Sequence, residues 1–266
     1  RRPQPHQAAQ GALMTQDSDD SAALLQLLSA PGTAVFLDFD GTLVDLAPTP
    51  DGVRLEPGVV EALALLAERH GGALALISGR PVAQIDAMLA PLSLPVAGVH
   101  GVERRGADGA LHVAPTRDVS PVLACAQSLA RRHPGLLVEQ KRGAVALHYR
   151  LGAALEQRCL REMTAGVQAC PGILLWHGKM VLEAKPAATD KGGAIAAFMG
   201  EAPFAGRRPV FAGDDTTDEA GFAYVQQVGG QGVKVGSGPS AATLRLDSPG
   251  ALRTALLAAA VAPLKE

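Results

Sequence analysis

Two carboxylates lie two residues apart in the segment D-F-D-G-T-L, at Asp38 and Asp40, directly after the apolar residues V-F-L. Residues i and i+2 of an extended chain project to the same side, so both carboxylates should face one site. Gly41 allows the chain to turn sharply after them, and Thr42 offers a hydroxyl and an amide to an anion. The segment therefore predicts a site that handles an anionic ligand at the end of a strand.

A calcium-binding loop does not explain this segment. Counted from Asp38, position 6 is Leu43 and position 12 is Thr49, where an EF-hand requires glycine and a bidentate glutamate. A plain acidic turn is the remaining alternative, and the apolar run that directly precedes the carboxylates disfavours it.

Two further candidates precede helix patterns. Ser78-Gly79-Arg80-Pro81 follows an apolar run, and a hydroxyl with free amides at a helix N-terminus can bind phosphate. An isolated match of this kind equally fits a helix N-cap followed by proline. Lys191, in D-K-G-G, would alone be a solvated surface residue, but near Asp38 it would shield that carboxylate from an approaching phosphate.

The segment G-D-D-T-T-D-E, residues 213–219, places four acids within six residues after another apolar run. Carboxylates this close repel one another unless a positive group lies among them. Hard oxygen ligands next to a phosphate indicate Mg²⁺, which uses one or two protein carboxylates and keeps several waters. A helix N-cap cluster would explain Asp218 and Glu219, but hardly Asp214 and Asp215 as well.

Short apolar runs alternate with longer amphipathic stretches from Thr33 onward. Continuous apolar runs are typical of strands buried on both faces, so this alternation predicts a three-layer α/β fold with a parallel sheet. Open α/β sheets bind ligands at the carboxyl edge, where the four candidate segments should meet. Strands are predicted at 34–38, 73–77, 96–99, 210–212 and 233–235, and helices at 57–70, 82–89, 191–199, 218–226 and 250–260.

The middle of the chain departs from this alternation after a turn-rich stretch at 105–109. We interpret residues 110–184 as a small α/β domain inserted into a larger domain formed by 21–109 and 185–266. Polar residues 1–20 predict a flexible leader, with Met14 as a candidate native start. Within the insert, helices are predicted at 119–132 and 154–167, and strands at 136–140, 144–150, 173–176 and 180–184.

The composition excludes several classes of protein. A formal net charge of -2 without a basic block is not the pattern of a nucleic-acid binder, and a 47% hydrophobic chain is too apolar for disorder. No uncharged apolar run approaches a membrane span of about 20 residues. At 3% aromatic residues we expect no stacking platform for sugar rings. Three cysteines without metal-binding spacing predict a reduced, cytoplasmic protein, which we expect to be a monomer or weak oligomer.

The four segments, in this order, resemble the haloacid dehalogenase superfamily of phosphotransferases, which combines D-x-D-G-T, a Ser/Thr loop, a Lys and an acidic G-D-D segment. The resemblance implies that superfamily's Rossmann-like core. It implies that Asp38 attacks phosphorus while Asp40 is the general acid and base. Ser78 and Lys191 would hold the transferring phosphoryl group.

The same resemblance implies a Mg²⁺ site. Asp38, Asp214 and the backbone carbonyl of Asp40 would be its ligands. Asp215 and Asp218 would serve beside the ion, either as further ligands or as hydrogen-bond partners of the ligands.

Segments at the border of the insert and within it resemble trehalose-6-phosphate phosphatases: H-G-V-E at 100–103, E-Q-K at 139–141, H-Y-R at 148–150, G-K at 178–179 and K-P at 185–186. In such enzymes the insert is a mobile cap that closes over the sugar. The resemblance implies a sugar-phosphate substrate, for which a mixture of carboxylates and cations is suited. The residues implied to bind it are Thr42, Gly79, Arg80, His100 and Glu103 in the larger domain and Glu139, Lys141, Arg150, Lys179 and Glu183 in the insert.

Several alternatives remain open at this stage. The charges of the insert could merely solvate the outer face of a small sheet. A related phosphatase of sucrose, mannosyl or glucosyl phosphates, a phosphohexomutase-like transferase and a non-catalytic binder would share much of the pattern. A dinucleotide is not expected, because the G-S-G-P-S-A match at 236–241 contains Pro239 and follows the last strand pattern.

Overall fold

Two β-sheets organise residues 19–262, the part of the chain that the computed structural model describes. The helices are α1 (residues 19–29), α2 (Val59–Arg69), α3 (Val82–Leu89), α4 (Ser120–Arg132), α5 (Glu156–Gln168), α6 (Lys191–Met199), α7 (Glu219–Gln227) and α8 (Pro249–Val261). The strands are β1 (Thr33–Leu37), β2 (Leu74–Ile77), β3 (Val96–Gly98), β4 (Glu103–Arg105), β5 (Leu111–Val113), β6 (Leu137–Lys141), β7 (Ala144–His148), β8 (Ile173–Gly178), β9 (Val181–Pro186), β10 (Arg208–Gly213), β11 (Gln231–Val235) and β12 (Leu244–Leu246).

The larger sheet has the order β12-β11-β10-β1-β2-β3-β4-β5. Its first six strands are parallel, and β4 and β5 are antiparallel additions at one edge. In the register, Leu37 at the end of β1 lies beside Ala212 of β10 and Leu76 of β2. The residues that follow these three strands therefore meet at the carboxyl edge of the sheet.

Helices cover both faces of this sheet, as its buried strands require. Val35 and Leu37 of β1 pack into a core formed with α1, α2, α3 and α8. The alternate residues Ala34 and Phe36 pack on the other face against α6 and α7. The result is the three-layer α/β fold expected from the sequence, and the predicted fold class is confirmed.

The smaller sheet is antiparallel, with the order β6-β7-β9-β8, and we call it the cap sheet. Its residues Val145, Leu147 and Leu182 pack in a separate core with α4 and α5. Because side chains alternate along a strand, the residues between them, such as Ala146 and Glu183, lie on the opposite face. That face carries most of the insert's charged residues named above.

Several elements differ from the predictions. The helix at 19–29 and the short strands β4, β5 and β12 were not predicted. Pairing of β5 with β4 puts residues 111–113 in the larger sheet, so the insert begins beyond Val113 rather than at 110. Residues 1–18 of the predicted leader lie outside the described residues, and residues 19 and 20, also assigned to it, are instead the start of α1. Among those described, no helix has both the length and the apolarity to cross a membrane.

Candidate active site

Asp38 lies at the centre of the carboxyl edge. It follows β1, and its backbone N–H donates to Ala212 of β10 at 2.9 Å. The side chain is buried, and each oxygen has one hydrogen-bond donor: Lys191 Nζ lies 2.6 Å from Oδ1, and the Thr42 hydroxyl lies 3.0 Å from Oδ2. The ammonium and the hydroxyl therefore fix the orientation of this carboxylate.

Lys191 is the first residue of α6, and Asp190 caps that helix by accepting from Gly193 N at 2.7 Å. Its Nζ lies between the carboxylates of Asp38 and Asp218, at 2.6 and 2.5 Å. Burial alone would lower the pKa of Lys191, but the two carboxylates raise it well above its usual value. Lys191 is therefore a permanent cation next to Asp38.

The acidic segment is held together by Asp218, whose Oδ2 accepts from the backbone N–H of Asp214 at 2.9 Å and of Asp215 at 2.8 Å. The backbone of the D-F-D-G-T segment approaches Asp214 so closely that a Cβ on residue 41 would lie 2.3 Å from Asp214 Oδ2. Gly41 also has a φ of +80°, so both the space and the backbone conformation require glycine there.

Carboxylate oxygens of Asp38, Asp214 and Asp218 lie within 4.8 Å of one another, and all three residues are buried. Burial and, to a lesser extent, Asp218 and Asp214 raise the pKa of Asp38 well above its usual value, although Lys191 opposes them. Within the described residues, two ammonium groups, those of Lys191 and Lys179, pair with these three carboxylates, which leaves an excess of negative charge. Three hard oxygen donors with excess negative charge fit a divalent cation such as Mg²⁺.

Asp215, a predicted metal residue, has a different position. Its carboxylate accepts from Thr216 N at 2.7 Å and from Lys179 N at 3.3 Å, so it caps the turn that precedes α7 and contacts the cap sheet. The structure therefore includes Asp218 in the carboxylate cluster and leaves Asp215 outside it.

Asp40 is not a member of that cluster and forms a bidentate pair with Arg80. Arg80 Nε and Nη2 donate to its two oxygens at 2.7 and 2.8 Å, and Nη2 also donates to the Pro50 carbonyl at 2.9 Å. The guanidinium also lies over the ring of Phe39. Arg80, predicted to bind substrate, thus has three of its five N–H donors engaged by the protein itself.

The other predicted residues of the larger domain have specific partners. Ser78 follows β2, is fully buried, and accepts from Arg80 N at 3.0 Å. Glu103 accepts from Val82 N, at the start of α3, at 2.7 Å. It does not line the cavity described below, so its position indicates a helix cap rather than a contact with a ligand.

A network of charges covers the inner face of the cap sheet. Lys141 Nζ lies 2.9 Å from Glu183 Oε1 and 3.6 Å from Glu139 Oε2, and Glu139 also contacts His148 at 3.2 Å. Burial alone would raise the pKa of Glu183, but His100 and Lys141 lower it well below its usual value. The network therefore presents carboxylates and an ammonium together, as a polyhydroxyl ligand requires.

The cap sheet meets the larger domain at the turn between β8 and β9. Lys179 Nζ pairs with Asp214, and the Thr216 hydroxyl donates to the His177 carbonyl at 3.3 Å. Arg150 donates to the Lys179 carbonyl at 3.1 Å and so supports this turn.

A cleft with an empty volume of about 1020 Å³, open to solvent, lies between the two sheets. The structure gathers thirteen sequence-predicted site residues around it, whereas Thr42, Ser78 and Glu103 do not line it. Those lining it are Asp38, Asp40, Gly79, Arg80, His100, Glu139, Lys141, Arg150, Lys179, Glu183, Lys191, Asp214 and Asp215.

Sequence reasoning missed two residues of this region. Trp176, the only tryptophan, lines the cleft, although the composition had suggested no aromatic side chain for this region. The sequence signal that could have revealed it is its place at the end of the predicted strand 173–176, two residues before the G-K segment at 178–179. Buried Lys234 donates to the Asp214 carbonyl at 2.6 Å and helps to hold the acidic segment.

Comparison with known proteins gives consistent matches. A family model described as trehalose-phosphatase matches residues 36–249. A trehalose-6-phosphate phosphatase of Escherichia coli (strain K12) is 46% identical over 218 residues, which cover 80% of this chain and 81% of that protein.

Solved structures extend the similarity of the fold. The C-terminal domain of a C. albicans trehalose-6-phosphate phosphatase matches with a TM-score of 0.81 at 21% identity, covering 90% of this chain and 96% of that chain. A haloacid dehalogenase-like hydrolase from Bacteroides thetaiotaomicron matches with a TM-score of 0.58 at 14% identity, covering 85% and 98%. At these identities the likeness concerns the fold alone.

Proposed function

Since the chain belongs to the trehalose-phosphatase family and is a phosphatase with a haloacid dehalogenase-like fold, we propose that it hydrolyses trehalose 6-phosphate to trehalose and inorganic phosphate. The observation that carries the proposal is the position of Asp38. Its carboxylate lies beside Lys191 and Asp214 and lines the same cleft as the Glu139, Lys141 and Glu183 network. A nucleophile for phosphorus thus lies across the cleft from groups suited to sugar hydroxyls.

In the first half of the proposed reaction, a carboxylate oxygen of Asp38 forms a bond to phosphorus, and the bond from phosphorus to the sugar oxygen breaks. Asp40 donates a proton to the departing oxygen, which leaves as a hydroxyl of trehalose. In the second half, water forms a bond to phosphorus, Asp40 takes its proton, and the bond from Asp38 to phosphorus breaks. A covalent intermediate divides one difficult displacement into two easier ones.

The surrounding residues support these steps. Lys191 keeps a positive charge next to the attacking oxygen and the phosphoryl oxygens. Asp38, Asp214 and Asp218 would hold Mg²⁺, which supplies positive charge for the phosphate and orients it. Because Asp40 needs a proton to act as an acid, its bidentate pair with Arg80 has to open before the leaving oxygen is protonated.

The test is phosphate release from trehalose 6-phosphate compared with sucrose 6-phosphate, glucose 6-phosphate and mannose 6-phosphate. We expect trehalose 6-phosphate to give the highest kcat/KM, EDTA to abolish release, and added Mg²⁺ to restore it. A higher kcat/KM with another sugar phosphate would identify that ester, rather than trehalose 6-phosphate, as the preferred substrate. Full activity in EDTA would contradict the role proposed for the carboxylate cluster.

Lys141→Ala should weaken turnover of the sugar phosphate selectively. The ammonium joins two carboxylates of the cap sheet, and charge-assisted hydrogen bonds contribute about 1.5–3 kcal/mol each, so kcat/KM for trehalose 6-phosphate should fall about 10- to 150-fold. For p-nitrophenyl phosphate, which has no sugar, the loss should be at least tenfold smaller.

The control is Arg142→Ala, which removes the neighbouring cation, whose side chain is 56% exposed and lies 3.6 Å from Glu103. That variant should keep kcat/KM for both substrates within about twofold, as an exposed ion pair contributes little. Equal losses on both substrates in Lys141→Ala would contradict recognition of the sugar by the cap sheet.

A cytoplasmic location stays a prediction. It is supported by the three cysteines, Cys125, Cys159 and Cys170, all of which are free.

A further inference from the structure

His100 lies in a strained turn at the carboxyl edge of the larger sheet. It directly follows Val99, and both residues have left-handed backbone conformations, with φ of 48° and 52°. Such a conformation is rare for any residue with a side chain and most costly for a β-branched one such as Val99. Strain of this kind persists where the surroundings enforce it, and it is concentrated at functional sites.

The turn is fixed to the loop that carries Ser78. The backbone N–H of His100 donates to the Ser78 carbonyl at 2.9 Å, and that of Val99 donates to the Arg80 carbonyl at 3.0 Å. The imidazole packs against Gly79 so closely that a Cβ on residue 79 would lie 2.7 Å from His100 Nε2. Gly79 is thus required by the imidazole, and the His100 ring is held by the loop beside the proposed phosphate site.

The imidazole reaches the cap sheet from this position. His100 is 5% exposed, and its Nε2 lies 2.5 Å from Glu183 Oε2, while Lys141 Nζ donates to the other oxygen of the same carboxylate. Burial lowers the pKa of His100 although Glu183 opposes this, so a neutral ring donating from Nε2 fits the contact. Each oxygen of Glu183 therefore has one donor, one from each domain.

We propose that His100 is a positioning residue, which orients the Glu183 carboxylate for the sugar and holds it in register with the loop that carries Ser78 and Gly79. The proposal rests on the proposed function, because it assigns a purpose to Glu183 in recognising the sugar. Of the two donors to Glu183, Lys141 belongs to the same sheet and therefore cannot fix the carboxylate relative to the larger domain. His100 connects the Glu183 carboxylate to the larger domain, where the phosphoryl group reacts.

Three variants of one residue separate the hydrogen bond from the packing. His100→Gln keeps a donor at about the position of Nε2, and His100→Met has similar length without a donor. His100→Asn keeps a donor that is too short to reach Glu183, and asparagine tolerates the left-handed conformation best. A folding defect in the Met variant therefore leaves the comparison of Asn with Gln to decide.

We expect His100→Met and His100→Asn to raise KM for trehalose 6-phosphate and lower kcat/KM about 10- to 100-fold, while His100→Gln stays within about fivefold of the wild type. The loss should be at least tenfold smaller with p-nitrophenyl phosphate. In a Glu183→Gln background, replacing His100 by Met should lower kcat/KM for trehalose 6-phosphate by less than a further twofold, since the two residues act through one contact.

The proposal is overturned if the Gln, Asn and Met variants lose equal activity, or if the sugar and aryl substrates are affected equally. Its failure is distinguishable from that of the proposed function. A wild-type protein that hydrolyses another sugar phosphate better would refute the trehalose assignment, and the three His100 variants would then be compared on that ester.

Discussion

Asp38→Asn should abolish phosphate release while the protein stays folded. The amide cannot serve as the anionic nucleophile for phosphorus, so kcat with trehalose 6-phosphate should fall by about four orders of magnitude or more. The amide is nearly isosteric with the carboxylate: its oxygen can still accept from Lys191, and its NH2 group can donate to the Thr42 hydroxyl. The loss should be equally severe with p-nitrophenyl phosphate, because the nucleophile acts on phosphorus whatever the leaving group.

The measurement is single-turnover phosphate release together with thermal unfolding. Asp45→Asn is the control, because this exposed carboxylate belongs to the loop after the D-F-D-G-T segment and pairs with Arg253 at 2.9 Å. We expect the control to keep at least about half of the wild-type kcat. Residual activity above about 1% in Asp38→Asn would assign the covalent step to another residue.

The same variant should also change stability in a pH-dependent way. In metal-free protein, burial raises the pKa of Asp38 above its unfolded value of about 3.9. Ionised Asp38 therefore disfavours the folded state. This cost grows as the pH rises from the unfolded pKa of Asp38 to its raised folded pKa. Unfolding in EDTA should show Asp38→Asn at least as stable as the wild type at pH 7, with the difference vanishing near pH 4.

The position of the site could be predicted from sequence because it depends on two simple regularities. Continuous apolar runs indicated strands buried on both faces, and parallel strands expose their carboxyl ends at one edge. The register between Leu37 and Ala212 then brings Asp38 and Asp214 together. The same patterns gave α3 and α6 with the bounds that the structure has.

Short strands could not be predicted in this way. In β4 the residues E-R-R are charged, and β5 and β12 have three residues each, too few for a period to be recognised. Their place in the sheet comes from pairing with neighbours. The helix at 19–29 was missed because the polar residues before it were assigned to a leader.

The partners of the charged side chains could not be predicted from the sequence either. The motifs indicated that Asp40, Arg80, His100 and Glu183 share one region, but not that Arg80 holds Asp40 or that His100 reaches Glu183. Side chains choose partners according to distances of a few ångströms, which the spacing of residues within a motif does not specify.

Lys191→Met should remove both stability and activity, in contrast to Asp38→Asn. Lys191 is 2% exposed and neutralises Asp38 and Asp218, both of which are buried. Removing one partner of a buried ion pair leaves an uncompensated charge and typically costs about 3–5 kcal/mol. Unfolding in denaturant at pH 7 should show a loss of that size, and kcat should fall about 10³-fold or more because the phosphoryl group loses its cation.

Lys185→Met is the matched control, since this lysine is equally buried but donates to the Thr189 carbonyl, lies over the Trp176 ring and pairs with no carboxylate of the described residues. The Lys185→Met substitution should lower the free energy of unfolding by about 1–2 kcal/mol. Adding Asp218→Asn to Lys191→Met should restore part of the stability but none of the activity. A Lys191→Met protein as stable as the Lys185→Met protein would show that the carboxylates do not need this cation.

The sign of the pH dependence separates this explanation from a simple loss of packing. In the wild type, the raised pKa of Lys191 means that its contribution is fully present below the unfolded value of about 10.4 and is lost only at higher pH. In Lys191→Met, the unneutralised Asp38 takes up a proton as the pH falls, because burial already raises its pKa. The stability deficit relative to the wild type should therefore shrink between pH 7 and pH 5, whereas a deficit caused by packing alone would stay constant.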